Sequence, residues 1–434
     1  MSNAQDVEPG VDALEQDVAA IILAGGEGRR LSPLTLECCK PALPFAGRHR
    51  TIDFTLSNCL NSRIPRVAVL AQYRAESLIP YVDETWGRSM QDAGVCLKTL
   101  KSSLPGGFRG TADAVAQVLP RNQLLGRQRL LVLGGDHVYR MDYRAMLREH
   151  VARNADVTIA CVEVAQSEAR AFGVVGVDGC GRVLTFEEKP AFPSAIPGRP
   201  GRSLVSMGIY VFESETLAAC LSEGGLDFGH DILPKWLRRA QVFAHRFQDA
   251  LQPQSSYWRD VGTIDAYWQV HMDLLSGRAS IDLRDPRWLI GGPQNVGGNT
   301  MPARRAAAGL ICGEPHVAPS ATVRRSVMFP DVHVAEDVVL DECIVLPGAS
   351  IGRGARLSRV IVGSNCRIPE WCSVGESETG IGIRSPGGIT VLTRVDLVPG
   401  TTPEIRSRSY SADCLATASR LQAERTHAEP GECG

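Results

Sequence analysis

A sixfold recurrence of aliphatic residues in the C-terminal third narrows the possible folds of this 434-residue chain more than any other feature. Met328, Val334, Leu340 and Leu346 lie six apart, and after a five-residue step so do Ile351 and Leu357. Val362, Ile368 and Val374 continue at the same spacing. A half-buried strand repeats every two residues and a helix about every 3.6, so neither yields a period of six. Small residues and turn formers fill the gaps, as in Leu346-Pro347-Gly348-Ala349-Ser350-Ile351-Gly352. Such a hexapeptide repeat predicts a parallel β-helix whose stacked coils bury one aliphatic per face. A small β-sandwich of short strands is the competing reading, because some steps slip to five.

Upstream the rhythm differs. Apolar runs at 19–23, 67–70, 129–133, 157–164 and 204–212 alternate with helically spaced stretches such as 111–123 and 143–153. Strand and helix in alternation predict a largely parallel α/β sheet, with ligands at the carboxyl ends of the strands. The first run enters a glycine-rich turn, Leu23-Ala24-Gly25-Gly26-Glu27-Gly28-Arg29-Arg30-Leu31. Glycines there let backbone amides approach a ligand, and a following helix N-terminus with a guanidinium would suit phosphates. The spacing is neither the dinucleotide fingerprint nor the P-loop.

Charge and cysteine usage restrict the partners. Lys and Arg number 46 against 48 Asp and Glu, a balance that points to neither nucleic acid nor a membrane surface. Residues 1–17 are polar and acidic, and no run approaches the roughly 18 apolar residues of a membrane span. The 13 cysteines include no C-x-x-C pair, which suits reduced thiols and a cytoplasmic protein. Cys38, beside Cys39, is the one candidate for a redox switch.

Two carboxylates stand out. Asp136 follows a buried run in Leu133-Gly134-Gly135-Asp136-His137, and Asp260 precedes a glycine turn in Arg259-Asp260-Val261-Gly262. Together they could hold a magnesium ion against a triphosphate, since hard divalent cations take oxygen ligands. His137 reads as a packed structural histidine, with no second histidine at ligand spacing. Glu188-Lys189-Pro190 offers a point charge for a sugar phosphate and a carboxylate for sugar hydroxyls. Lys40-Pro41 repeats the Lys-Pro pattern and makes Lys40 a further phosphate contact. Phe108-Arg109-Gly110-Thr111-Ala112-Asp113 reads as a loop entering a helix whose free amides face a ligand.

Taken in order, these motifs resemble the bacterial glucose-1-phosphate adenylyltransferase family. Ile52-Asp53-Phe54, Phe172-Gly173-Val174, Ser206-Met207-Gly208-Ile209-Tyr210 and Tyr257-Trp258-Arg259-Asp260 extend the likeness, which runs from about residue 21 to 374. The resemblance implies an α/β mixed-sheet, Rossmann-like nucleotide-diphospho-sugar transferase domain followed by a left-handed parallel β-helix. It implies domains at 18–275 and 311–405, an extension at 1–17, a connector at 276–310 and a flexible tail at 406–434. The implied reaction takes ATP and glucose 1-phosphate to ADP-glucose and diphosphate, supplying glycogen synthesis from a homotetramer. Arg30, Asp136 and Lys189 would be catalytic, and Asp136 and Asp260 would hold Mg2+. Leu23, Ala24, Gly25, Gly26, Gly28, Arg30 and Lys40 would bind nucleotide; Phe108, Gly173, Glu188, Lys189 and Ser206 would bind glucose 1-phosphate.

Four departures accompany the likeness. Arg29 stands where the family usually has Thr, and Phe108 where it has Tyr. The segment before Phe108, Leu97-Lys98-Thr99-Leu100-Lys101-Ser102-Ser103-Leu104, lacks the family's base-recognition stretch. Glu37-Cys38 replaces a basic pair, which predicts weak response to anionic activators. Another base or hexose, a non-catalytic regulatory subunit, and an acyltransferase using His333 are the alternative readings.

Overall fold

The computed structural model describes residues 17–122, 126–283, 285–291, 304–306, 309–311, 315–375 and 381–393. The expected tail at 406–434, nearly all of the N-terminal extension and part of the connector, including 292–303, lie outside these residues. The chain divides into two compact units: Met1–Phe45, His49–Gly262 and Gly277–Thr300 form the first, and Ala46–Arg48, Thr263–Ser276 and Met301–Gly434 the second.

The first unit opens with β1 (Val18–Ala24), α1 (Ile52–Asn61), β2 (Arg66–Ala71), α2 (Ala75–Asp92) and β3 (Cys96–Leu100). Next come α3 (Thr111–Val118), β4 (Arg129–Gly134), β5 (His137–Tyr139), α4 (Tyr143–Ala152) and β6 (Val157–Ala165). The unit continues through β7 (Gly173–Val177), β8 (Val183–Glu188), β9 (Arg202–Glu213), α5 (Ser214–Ser222), β10 (Val242–Arg246) and β11 (Trp258–Asp260). The main sheet runs β8-β7-β9-β4-β1-β2-β3, with β6 also paired to β9 and β10 to β6.

Strands β4, β1, β2 and β3 are parallel, and Ile21 sits in register between Ala68 and Val132. Alternate β1 residues feed opposite cores: Ala20 and Ile22 pack with Val67, Val69 and Leu133, whereas Ala19 and Ile21 pack with Leu70 and Val132. Burial on both faces explains the unbroken apolar run. The runs at 157–164 and 204–212 behave differently from the expected parallel rhythm. β9 is antiparallel to β4, β6 and β7, so the sheet is mixed. Strand direction leaves no mark on an apolar pattern, so the sequence rhythm was silent on it. The β9 register shifts between Ser206 and Tyr210, where Gly208 takes a φ of 67°. The expected helix at 111–123 stops at Val118 and tightens into a 3-10 turn at Leu119–Arg121, because Pro120 has no amide to continue it.

In the second unit three parallel ladders build a β-helix. Met328 stacks on Val345 and Val345 on Val362; Val334, Ile351 and Ile368 form a second column, and Leu340, Leu357 and Val374 a third. All nine side chains are buried. One coil is therefore 17 residues, two steps of six and one of five. The five-residue step falls between Leu340 and Val345, so Val345 holds the column position that the spacing alone assigned to Leu346. Corners recur with the same period: Arg325, Glu342 and Arg359, then Asp331, Gly348 and Asn365, then Asp337, Gly354 and Trp371, all with positive φ. At Gly354 a Cβ would come within 2.3 Å of the Trp371 ring.

Helix α6 (Ile264–Ser276) groups with this unit rather than with the domain expected to end at 275. Its side chains explain why. The Trp268 indole donates to the Glu342 carbonyl at 2.7 Å, and the Arg359 guanidinium lies 4.6 Å over the same ring. Asp265 accepts hydrogen bonds from the Ser385 hydroxyl and the Gly387 amide. His271 donates from Nδ1 to the Tyr267 carbonyl and accepts at Nε2 from the Ala46 amide.

Candidate active site

The end of β4 delivers Asp136, and the antiparallel pairing of β5 with β11 sets His137 opposite Asp260. Both carboxylates close on one ammonium: Lys40 Nζ lies 2.6 Å from Asp136 and 2.8 Å from Asp260. His137 Nε2 stands 3.4 Å from Asp136 and 3.9 Å from Asp260. Burial pulls the Lys40 ammonium down, but the two carboxylates outweigh it and hold its pKa above the usual lysine value. Burial likewise pushes Asp136 up, yet Lys40 and then His137 hold its carboxyl down at about 2. The pair is ionised at neutral pH. Donor atoms of Asp136, His137 and Asp260 all lie within 4.8 Å of one another, and the two carboxylates give a divalent cation the hard oxygen ligands it favours.

The glycine loop wraps the other side of Lys40. Gly28 has a φ of 63°, and a Cβ there would stand 3.1 Å from both the Lys40 Cβ and a Thr35 methyl. Thr35 fixes the turn by donating from Oγ1 to the Gly28 carbonyl at 3.0 Å. The loop leads into a single 3-10 turn, Arg29–Leu31, and not into the expected helix. The Thr35 anchor turns the chain away at once. The phosphate-binding potential thus rests on loop amides and side chains. Arg30 and Asp260 both border Gly262: a Cβ there would lie 3.0 Å from Arg30 Nη2 and 2.9 Å from Asp260 Oδ2. The Leu23 carbonyl accepts from Gly135 N at 3.0 Å, which ties the β1 end to the Asp136 loop, with Ala24 buried beside it. At Gly25 a Cβ would touch Gln72 at 3.4 Å, while Gly26 faces open space.

Glu188 and Lys189 form a second group. Their side chains pair at 2.6 Å, and Lys189 takes a φ of 48° ahead of Pro190. Gly173 and Gly229 make room for the Glu188 carboxylate, since a Cβ on either would approach Oε2 to 2.9 and 2.7 Å. Ser206 is buried, and its Oγ accepts from Gly208 N at 3.2 Å. Gly208 in turn borders His137, whose Cε1 lies 3.4 Å from a Cβ placed there. Phe108 turns its ring into the apolar cluster that holds Leu70, Val115 and Phe228, so it offers a sugar phosphate no polar side-chain atom.

The amides expected to be free at the start of α3 are occupied. Ala112 N and Asp113 N both donate to the Leu226 carbonyl, Ala114 N donates to Gly110 O, and Arg109 N donates to Asp113. Gly110 permits this, since a Cβ there would stand 2.2 Å from Leu226 O.

Three residues stand differently in the structure than their local sequence suggests. His137 packs edge-on against Trp258 with centroids 5.4 Å apart, as a structural histidine does, but its Nε2 also faces the carboxylates. His137 Nδ1 and Trp258 Nε1 are buried without hydrogen-bond partners. Adjacency to Asp136 was the available signal for His137. Gln72 grips the Phe108 backbone in both directions, donating to its carbonyl at 3.0 Å and accepting from its amide. Nothing in the local sequence marks Gln72. Burial, then the neighbouring Cys39, pushes the Cys38 thiol up to about 11, which leaves little thiolate for a redox switch.

A family model for nucleotidyl transferases matches residues 19–277, and one for the GlmU-like C-terminal hexapeptide matches 296–392. Fold and site define a nucleotidyl transferase with a left-handed β-helix appended. A glucose-1-phosphate adenylyltransferase of Nitrosospira multiformis is 42% identical over 375 residues, 82% of this chain and 88% of its own. Glucose-1-phosphate adenylyltransferase 2 of Alkalilimnicola ehrlichii is 40% identical over 404 residues, covering 88% and 95%. The Rhodospirillum rubrum protein of the former name is 37% identical over 408 residues, covering 87% and 96%. The chain belongs to the glucose-1-phosphate adenylyltransferase family.

Proposed function

We propose that the protein transfers the adenylyl group of ATP to glucose 1-phosphate, giving ADP-glucose and diphosphate for glycogen synthesis. The observation that carries this reading is the cluster of Asp136, Asp260, Lys40 and Arg30 at the carboxyl end of the parallel strands. A sugar phosphate oxygen attacks the α-phosphorus of ATP in line, and diphosphate leaves. No protein nucleophile is needed, so the side chains align and neutralise. Arg30 and the loop of Gly25, Gly26 and Gly28 embrace the triphosphate beside Leu23 and Ala24, with Lys40 reaching a phosphate. Lys189 binds the sugar phosphate, and Glu188, Ser206 and Gly173 receive the hexose, with Phe108 as an apolar wall. Asp136 and Asp260 would hold Mg2+, which would supply charge neutralisation for the triphosphate.

The catalytic domain is taken to run from 18 to the start of α6 and the β-helix as 311–405, in a cytoplasmic homotetramer. The described cysteines are all free thiols, in keeping with a reducing setting. No helix among the described residues is long and apolar enough to cross a membrane. The test is diphosphate release by the purified protein with magnesium, across ATP, UTP, dTTP and GTP and a panel of hexose 1-phosphates. ATP with glucose 1-phosphate should be preferred. Preference for another pair, or no diphosphate from any, overturns the reading.

A further inference from the structure

Lys40 occupies the place of the cation. Its Nζ lies 2.6 and 2.8 Å from oxygens of the two carboxylates that are the site's only converging acids among the described residues. A magnesium ion bonds carboxylate oxygen at about 2.0–2.1 Å, so an ion drawn to these oxygens meets the ammonium at the same spot. The lysine is not a loose surface residue that swings in by chance. Its side chain is 10% exposed, and its stem is pinned against Gly28, where a Cβ would stand 3.1 Å from the Lys40 Cβ. Pro41 fixes the turn that starts at Lys40.

We propose that Lys40 is an internal counter-ion that holds the carboxylates paired and excludes a free divalent cation until a polyphosphate draws the ammonium away. The inference rests on the metal assignment under the proposed function and adds to it a second role for Lys40. With no phosphate present, the ammonium balances one of two negative charges, and a cation entering beside it meets repulsion. A triphosphate in the glycine loop offers Lys40 new oxygens, and the same movement frees Asp136 and Asp260. Because the Lys40 stem packs on Gly28, the exchange is carried by the loop that receives the phosphates. Metal and nucleotide binding are then coupled, and each tightens the other by the same factor.

The experiment measures Mn2+ binding to the nucleotide-free protein by electron paramagnetic resonance, so no turnover is involved. Lys40→Met should bind Mn2+ at least about tenfold more tightly than wild type, about 1.4 kcal/mol. Lys40→Arg, which keeps the positive charge, should stay weak. With a non-hydrolysable ATP analogue the wild-type affinity should rise and the gap should narrow. Lys40→Gln serves alongside Met in case the apolar variant fails to fold. Equal Mn2+ affinity in wild type and both neutral variants overturns the proposal. Asp136→Asn in the Lys40→Gln background separates the two ideas. If Mn2+ binds there undiminished, the metal assignment itself fails; if binding is lost but Lys40 variants equal wild type, only the counter-ion role fails.

Discussion

In the β-helix unit positive-φ residues recur every coil, at Arg325, Glu342 and Arg359 for instance, and none of these belongs to the candidate site. In the α/β unit the same backbone conformation falls at Gly28, Lys189 and Gly208, each at or beside a residue assigned to substrate or metal. One unit repeats its irregularity every coil to turn corners; the other scatters it, at ordinary turns such as Arg63, Asn154 and Gly181 as well as at Gly28, Lys189 and Gly208. Regular strands bury side chains on alternating schedules that serve the core. Of the proposed site residues, Glu188 ends β8, Ser206 lies on β9 at its register shift, and Lys40 opens a 3-10 turn. Stability and chemistry are thereby separated along the chain, and substitutions can probe that division.

The largest effect is expected in the repeating unit. Leu340 is fully buried between Val323 and Leu357 in its column, so Leu340→Ala should destabilise by about 2–5 kcal/mol. Turnover of the folded protein should change by less than about threefold, as for a substitution remote from the reacting groups. A larger drop in turnover without loss of melting temperature would break the division. Next, Asp136→Asn should cut turnover on the order of 10²-fold or more, with little change in melting temperature. Near-normal rates would remove Asp136 from the chemistry. Lys189→Gln should raise the apparent KM for glucose 1-phosphate on the order of tenfold and leave that for ATP little changed. Movement of the ATP value instead would relocate Lys189 to the triphosphate.

The smallest effect is one the two units share. His150 in the first is held near 4 by burial and then by Arg129, and His271 in the second near 4 by burial. Both are therefore neutral when folded. As pH falls below the unfolded value of 6.5, the unfolded chain takes up protons first. Stability present above pH 6.5 is lost as pH falls towards 4. At about pH 5.5 the loss should be about 1 kcal/mol per histidine. Calorimetry reads the loss, and histidine NMR should show both rings still neutral at that pH. A ring already protonated there contradicts its assignment.

What the sequence disclosed depended on whether the cause was local. Asp136 was legible because a buried strand followed by Gly-Gly-Asp is a contiguous pattern, and the β-helix because its period is written into consecutive residues. The position of the five-residue step was not, because Leu346 is as apolar as Val345 and only pairing with Met328 separates them. The start of α3 looked open to a ligand because its cap, the Leu226 carbonyl, comes from a distant segment. Gln72 escaped notice for the same reason: its partners are backbone atoms of Phe108. Lys40 was legible as a phosphate contact, but its bond to Asp260 spans 220 residues and has no local trace.

The 17-residue coil also limits how this third of the gene can change in length. Losing one residue between Leu340 and Val345 would move every later aliphatic off its column, from Val345 through Val374. Such a frame error is not absorbed locally, because each coil takes its register from the one before. Two kinds of length change escape that penalty. A whole coil can be added or removed, and a segment can leave one corner and rejoin the same column, as happens where Val362 pairs with Leu392. Length changes inside a coil should therefore come in whole coils, whereas corners of the β-helix and the surface loops of the α/β unit can take insertions of other lengths.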